Sequence, residues 1–155
     1  MREDFYTIAD QQAFDIFSSE IRAIRPTVKL VRTPDRTRHD VIVNDETIVE
    51  IKTRLNLSSR TVKTYRGDES NMDLCGCVML NNDKLNYLKN LKGFKKVFVA
   101  YILKDVYYII DVNTVKIRNI KPRNVWDPGT QRYHTEICAY VDITGEKEYK
   151  RLTHE

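Results

Sequence analysis

Three ionisable residues, Asp40, Glu50 and Lys52, interrupt a stretch that is otherwise patterned as a β-hairpin, RHDVIVNDETIVEIKTR (38–54). Val41, Ile42 and Val43 lead into Asn44-Asp45-Glu46, and Ile48, Val49 and Ile51 lead out. A three-residue connection pairs Val43 with Thr47, Ile42 with Ile48, Val41 with Val49 and Asp40 with Glu50, whereas a two-residue turn shifts the register by one. Directly opposed residues carry their Cβ atoms ~4.5–5.5 Å apart, so the two carboxylates repel each other. Lys52, two residues past Glu50, projects from the same face, while Val41, Val49 and Ile51 point into a core. Two carboxylates this close need a proton or a cation between them. A neighbouring lysine would serve, and the hard oxygens suit Mg2+ or Mn2+ better. Such an ion polarises a phosphoryl oxygen and acidifies water, and an adjacent ammonium orients that water or stabilises the transition state. Asp, Glu and Lys so arranged are the minimum set for metal-assisted phosphodiester hydrolysis.

Those residues need a scaffold. Residues 5–25 read as a helix with Ala13, Phe14, Phe17, Ile21 and Ile24 on one face, stopped by Pro26. Thr27–Thr33 alternates as a strand and the hairpin follows. Residues 55–76 show no clean period and read as an irregular segment, long enough to be functional or mobile. Asn82–Leu91 reads as a short helix, capped by Asn82 or Asp83 and ended by Gly93. Lys96–Leu103 (KVFVAYIL) is apolar enough for a strand covered on both faces, and Val106–Val112 follows a Lys104-Asp105 turn. Beyond these come a strand from Val115 to Ile120, a Pro- and Trp-containing loop (KPRNVWDPGTQ) and a strand from Glu136 to Ile143. The order of helix, three strands, helix, strand and C-terminal β additions predicts an α/β sandwich around a mixed sheet.

With Asp40 followed by Glu50-Ile51-Lys52 after nine intervening residues, on a hairpin that follows a helix and a strand, the chain resembles the PD-(D/E)XK nuclease superfamily. That group includes restriction endonucleases, junction resolvases and phage recombination nucleases. The resemblance implies a restriction-endonuclease-like αβββαβ core over residues 5–112 of a single 155-residue domain, with 113–155 as a β-rich extension. It implies Asp40, Glu50 and the main-chain carbonyl of Ile51 as ligands of Mg2+, with Mn2+ as a substitute, and Lys52 as the catalytic lysine. The family's Pro-Asp pair is His39-Asp40 here; a literal Pro34-Asp35 lies in the preceding turn, away from Glu50. Many members place a further acid on the first helix, where Asp10 and Glu20 are the candidates. Glu148-Tyr149-Lys150, preceded by Asp142, repeats the acid-x-Lys pattern but comes after the core elements, and reads as a decoy.

The 155 residues form one domain by default and, at 41% apolar and 31% charged, a globular one. Net charge is +4. Two runs free of acids stand out, Lys52, Arg54, Arg60, Lys63 and Arg66, then Lys116, Arg118, Lys121 and Arg123. Such runs are either solvated faces or surfaces for a phosphate backbone, and beside the three-residue site they imply DNA as partner. Cys75, Cys77 and Cys138 have no zinc-like spacing and read as reduced packing residues of a cytoplasmic protein, in the host cell if phage-encoded. No stretch approaches a membrane span, and no secretory leader pattern opens the chain. A glycine-rich phosphate loop and paired histidine ligands are both missing, which argues against transferase and redox chemistry. The expected function is a Mg2+-dependent DNA endonuclease acting on a structure or short site, with a homodimer as one candidate assembly. The alternative is a non-catalytic nucleic-acid-binding or protein-interaction domain whose site charges form a plain salt bridge.

Overall fold

Pro26 cannot extend a helix, and the first helix, α1 (Arg2–Ile24), ends two residues before it. The structure, a computed structural model, describes residues 2–33, 40–67 and 74–152, with backbone alone for 2–7. His39 and the Pro34-Asp35 pair lie outside the described residues. After α1 come β1 (Leu30–Arg32), β2 (Val41–Val43) and β3 (Thr47–Arg54), an antiparallel meander. The β2–β3 register is Val43 to Thr47, Ile42 to Ile48 and Val41 to Val49, as the three-residue connection predicts. Asn44 and Asp45 take φ of 51° and 65°, the left-handed region that their short polar side chains tolerate. Asn44 Oδ1 also accepts from the Lys29 N–H at 2.9 Å, which fixes the turn against the residue before β1.

The chain then crosses over through α2 (Ser59–Thr64), β4 (Cys77–Asn81) and α3 (Asn82–Lys89) before returning as β5 (Lys96–Leu103), parallel to β3. β6 (Val106–Asp111) pairs antiparallel with β5, and β9 (Tyr149–Lys150) closes the far edge. The resulting mixed sheet has the order β1-β2-β3-β5-β6-β9. β7 (Lys116–Asp127) and β8 (Arg132–Asp142) join β4 in a second sheet of order β4-β8-β7. The architecture is mixed α/β.

Strand alternation distributes the core between the two faces of the larger sheet. Val41, Val49, Ile51, Ala100 and Ile102 pack with Phe17 of α1. Ile48, Val99, Tyr101 and Leu103 pack with Leu85 and Leu88 of α3 and with Val78, Leu80 and Val141 of the second sheet. Because β5 feeds both clusters, its near-continuous apolar run is explained. Ala13, Phe14 and Ile21 of the α1 stripe are half-buried against the first cluster, whereas Ile24 is exposed. All three cysteines are free thiols, Cys138 buried and the other two half-buried.

Three local expectations are corrected, and one strand is added. The segment 55–76 contains α2, one and a half turns held by the Ser58 cap and a single buried side chain, Val62. Residues 77–81 form β4, a strand too short to stand out in the sequence. Asn81, one residue earlier than expected, caps α3 by accepting from the Lys84 N–H at 3.0 Å. The expected loop from Lys121 onward is instead strand as far as Asp127, because β7 is an outer strand, where the missing N–H of Pro122 leaves a sheet tolerable. At its tip the exposed Trp126 and Tyr133 meet edge to face at 5.1 Å. Among the described residues no helix is long and apolar enough to cross a membrane.

Candidate active site

Asp40 immediately precedes β2, so the register that pairs Val41 with Val49 brings it opposite Glu50. Its carboxylate turns inward, Oδ2 accepting from the Ile51 N–H at 2.6 Å. Its carbonyl accepts from the Thr33 N–H at 2.9 Å and from Thr33 Oγ1 at 3.0 Å, so backbone and side chain are both held. Since Ile51 directs its N–H to this edge of β3, its carbonyl leaves on the same edge. The two carboxyls therefore meet, with that carbonyl on the same edge of the strand.

Glu50 and Lys52 lie on the face of β3 opposite the Val49 and Ile51 side chains, next to Val99 and Tyr101 of β5. Together with Leu80, Asn81 and Lys84 they border a small hollow of about 50 Å3. Burial and then the Asp40 charge push the Glu50 carboxyl up to about 8, while Lys84 pulls the other way. Lys84 Nζ stands 3.3 Å from Glu50 Oε2. That contact has the distance of an ion pair, and it is the influence that pulls the Glu50 carboxyl down. Lys52 is held below its usual range, chiefly by burial and then by the Arg54 charge, with Glu136 and Glu50 opposing. A half-buried ammonium beside an acid pair can hold or release a proton more readily than a surface lysine.

The donor set fits a hard divalent ion. Two carboxyls lie close enough to interact, one of them buried, and burial favours any cation that neutralises them. Among the described residues no group of three or more His, Cys, Asp or Glu forms, so neither helix acid completes the set. Asp10 is exposed on α1. Glu20 is buried for a different reason, its carboxylate accepting from Arg151 Nε at 3.2 Å and from the Leu152 N–H. It is a structural anchor of α1, on the opposite side of the sheet from Glu50. The second acid-x-Lys copy is likewise engaged in structure. Glu148 binds Lys63 at 2.8 Å and Tyr108 Oη at 2.9 Å, and Asp142 binds Arg118 at 2.9 Å and Thr144.

These pairs divide the basic runs. Lys63 and Arg118 have carboxylate partners, and Arg118 also donates to the Cys75 carbonyl. Arg60, Arg66 and Lys116 are exposed, Lys121 is half-buried, and Arg123 is exposed with Nη1 3.4 Å from Tyr140 Oη. Arg54 is half-buried, donating to the Thr53 carbonyl at 3.1 Å. Lys84 is the site residue that the sequence pattern missed. It reaches Glu50 only because the crossover sets the start of α3 over β3, a placement that has no local signature in the sequence. No family model, curated protein or solved structure matches the chain.

Proposed function

We propose that the protein is a Mg2+-dependent DNA endonuclease of the PD-(D/E)XK type, with Asp40, Glu50 and Lys52 at its centre. The observation that carries the reading is the meeting of Asp40 and Glu50 on one face of the hairpin, where burial and the Asp40 charge push the Glu50 carboxyl up to about 8. The helix, the three-strand meander and a parallel strand reached through a helical crossover support the αβββαβ core, with β4 inserted into the crossover as a departure. Asp40, Glu50 and the Ile51 carbonyl would hold the ion, which when bound polarises a phosphoryl oxygen and lowers the pKa of water. Glu50 gives up its proton to become a ligand. Asp40 stays oriented through the Ile51 N–H. Lys52 places its charge beside the scissile phosphate, where it stabilises the extra negative charge of the transition state. Exposed Arg60, Arg66 and Lys116 supply sequence-independent attraction for the backbone.

The ion pair of Lys84 with Glu50 favours a second reading, a nucleic-acid-binding domain in which a lysine neutralises the acids permanently. A cleavage panel of linear, nicked, single-stranded and four-way DNA in Mg2+, Mn2+ and EDTA separates the two. Metal-dependent cutting that Lys52→Ala abolishes while binding persists supports the nuclease. Binding without cutting in any metal supports the second reading.

A further inference from the structure

The face of β3 that presents Glu50 and Lys52 continues to Arg54, two residues and about 7 Å farther along the strand. Arg54 borders a cavity of about 270 Å3, whose walls include Tyr65, Met79, Tyr101, Arg123 and Tyr140. That is just under the ~300–1,000 Å3 of typical small-molecule sites, a size for one planar ring system with its substituent. Two of the tyrosines are fixed: Tyr101 is buried with Oη donating to the Met79 carbonyl at 3.1 Å, and Tyr140 is buried with Arg123 beside its hydroxyl. Tyr65 is exposed. Among the described lining residues there are two guanidiniums and no carboxylate.

Aromatic and apolar walls favour a flat ring, and the guanidiniums favour an anion attached to it; a nucleotide has both parts. A base inside an intact duplex cannot enter such a cavity, because it is stacked and paired. We propose that this cavity captures one unpaired nucleobase of the DNA strand being cut, with the adjoining phosphate on Arg54 and Arg123. The inference rests on the nuclease reading and narrows it: the substrate carries an unpaired nucleotide next to the scissile bond, as in single strands, flaps and branch points.

The test uses the full chain in EDTA, so that capture is measured apart from cutting. A single-stranded oligonucleotide bearing one 2-aminopurine is titrated with protein, alongside the same sequence in a duplex. Capture predicts saturable quenching of the single strand and weaker binding of the duplex. Filling the cavity with Met79→Trp should weaken single-strand binding about 10-fold or more, the scale of a lost stacking contact. Because that change enlarges a half-buried side chain, Arg54→Ala serves as a second variant and should weaken binding similarly. Asp45→Asn, in the exposed turn where it pairs with Lys29, lies outside both the cavity and the acid pair and should leave quenching intact. Equal binding of single strand and duplex, or wild-type affinity in both cavity variants, overturns base capture even if Mg2+-dependent cutting is found. Cavity-dependent quenching with no cutting in any metal supports base capture and removes the nuclease reading instead.

Discussion

Replacing Glu50 by Gln should stabilise the metal-free protein, and only as pH rises. The wild-type carboxyl titrates near 8 in the folded chain against an ordinary 4.5, so folding favours its protonated form. Below about pH 4.5 the proton is present in both states and the contribution is complete. Between the two values the unfolded chain releases it first, and stability falls by about 1.4 kcal/mol per pH unit, about 5 kcal/mol in all above pH 8. At pH 7 the loss is on the order of 3 kcal/mol, a large part of the ~5–15 kcal/mol that a domain has. Gln keeps the shape and has no charge to bury. Urea unfolding of both chains in EDTA from pH 5 to pH 9 should therefore give curves that diverge steadily, with Gln ahead at the alkaline end. Saturating Mg2+ should recover wild-type stability by about 2.7 kcal/mol at a hundred times its Kd and leave Glu50→Gln nearly unchanged. Parallel curves across the range would show that Glu50 is not a strained buried acid. Equal stabilisation of both chains by Mg2+ would place the ion elsewhere.

Lys84→Met removes the cation that pulls Glu50 down, so the midpoint of the pH dependence of Mg2+ affinity should move to higher pH, readable by calorimetry. Glu20→Ala removes the carboxylate partner of the half-buried Arg151, leaving it the Leu103 and Lys104 carbonyls, and should cost about 3 kcal/mol in urea unfolding, with no change in cutting per folded molecule. Arg60→Ala and Arg66→Ala should each lower DNA affinity alike on all sequences and reduce the salt slope of log K by about 0.7–0.9, measured by titration at several ionic strengths. Glu148→Gln, in the second acid-x-Lys copy, should leave the Mg2+ response of thermal unfolding in place.

What the sequence revealed depended on the range of the interaction. Alternation on both sides of Asn44-Asp45-Glu46 defines the hairpin register, because slipping by one residue would expose Val41, Val49 and Ile51. The convergence of Asp40 on Glu50 follows from that register and was legible with it. The run 96–103 was equally clear, since few settings other than a strand between two cores suit eight such residues. Pro122 and Trp126 read as loop chemistry, yet an outer strand tolerates both. The single buried residue of α2, Val62, cannot produce a period. Neither the Lys84 contact with Glu50 nor the hold of Arg151 on Glu20 has any local signature, because each joins segments brought together only by the finished topology.

The Glu20–Arg151 clasp spans 131 residues of chain. At the usual ~5–20 residues per second of synthesis, roughly 7–26 s separate the emergence of the two partners from the ribosome. During that interval a carboxylate destined for the interior has only water for company, so the opening helix has reason to stay undocked. Seating it then becomes a late event, and the apolar stripe of Phe14 and Phe17 is left open to chaperones in the meantime.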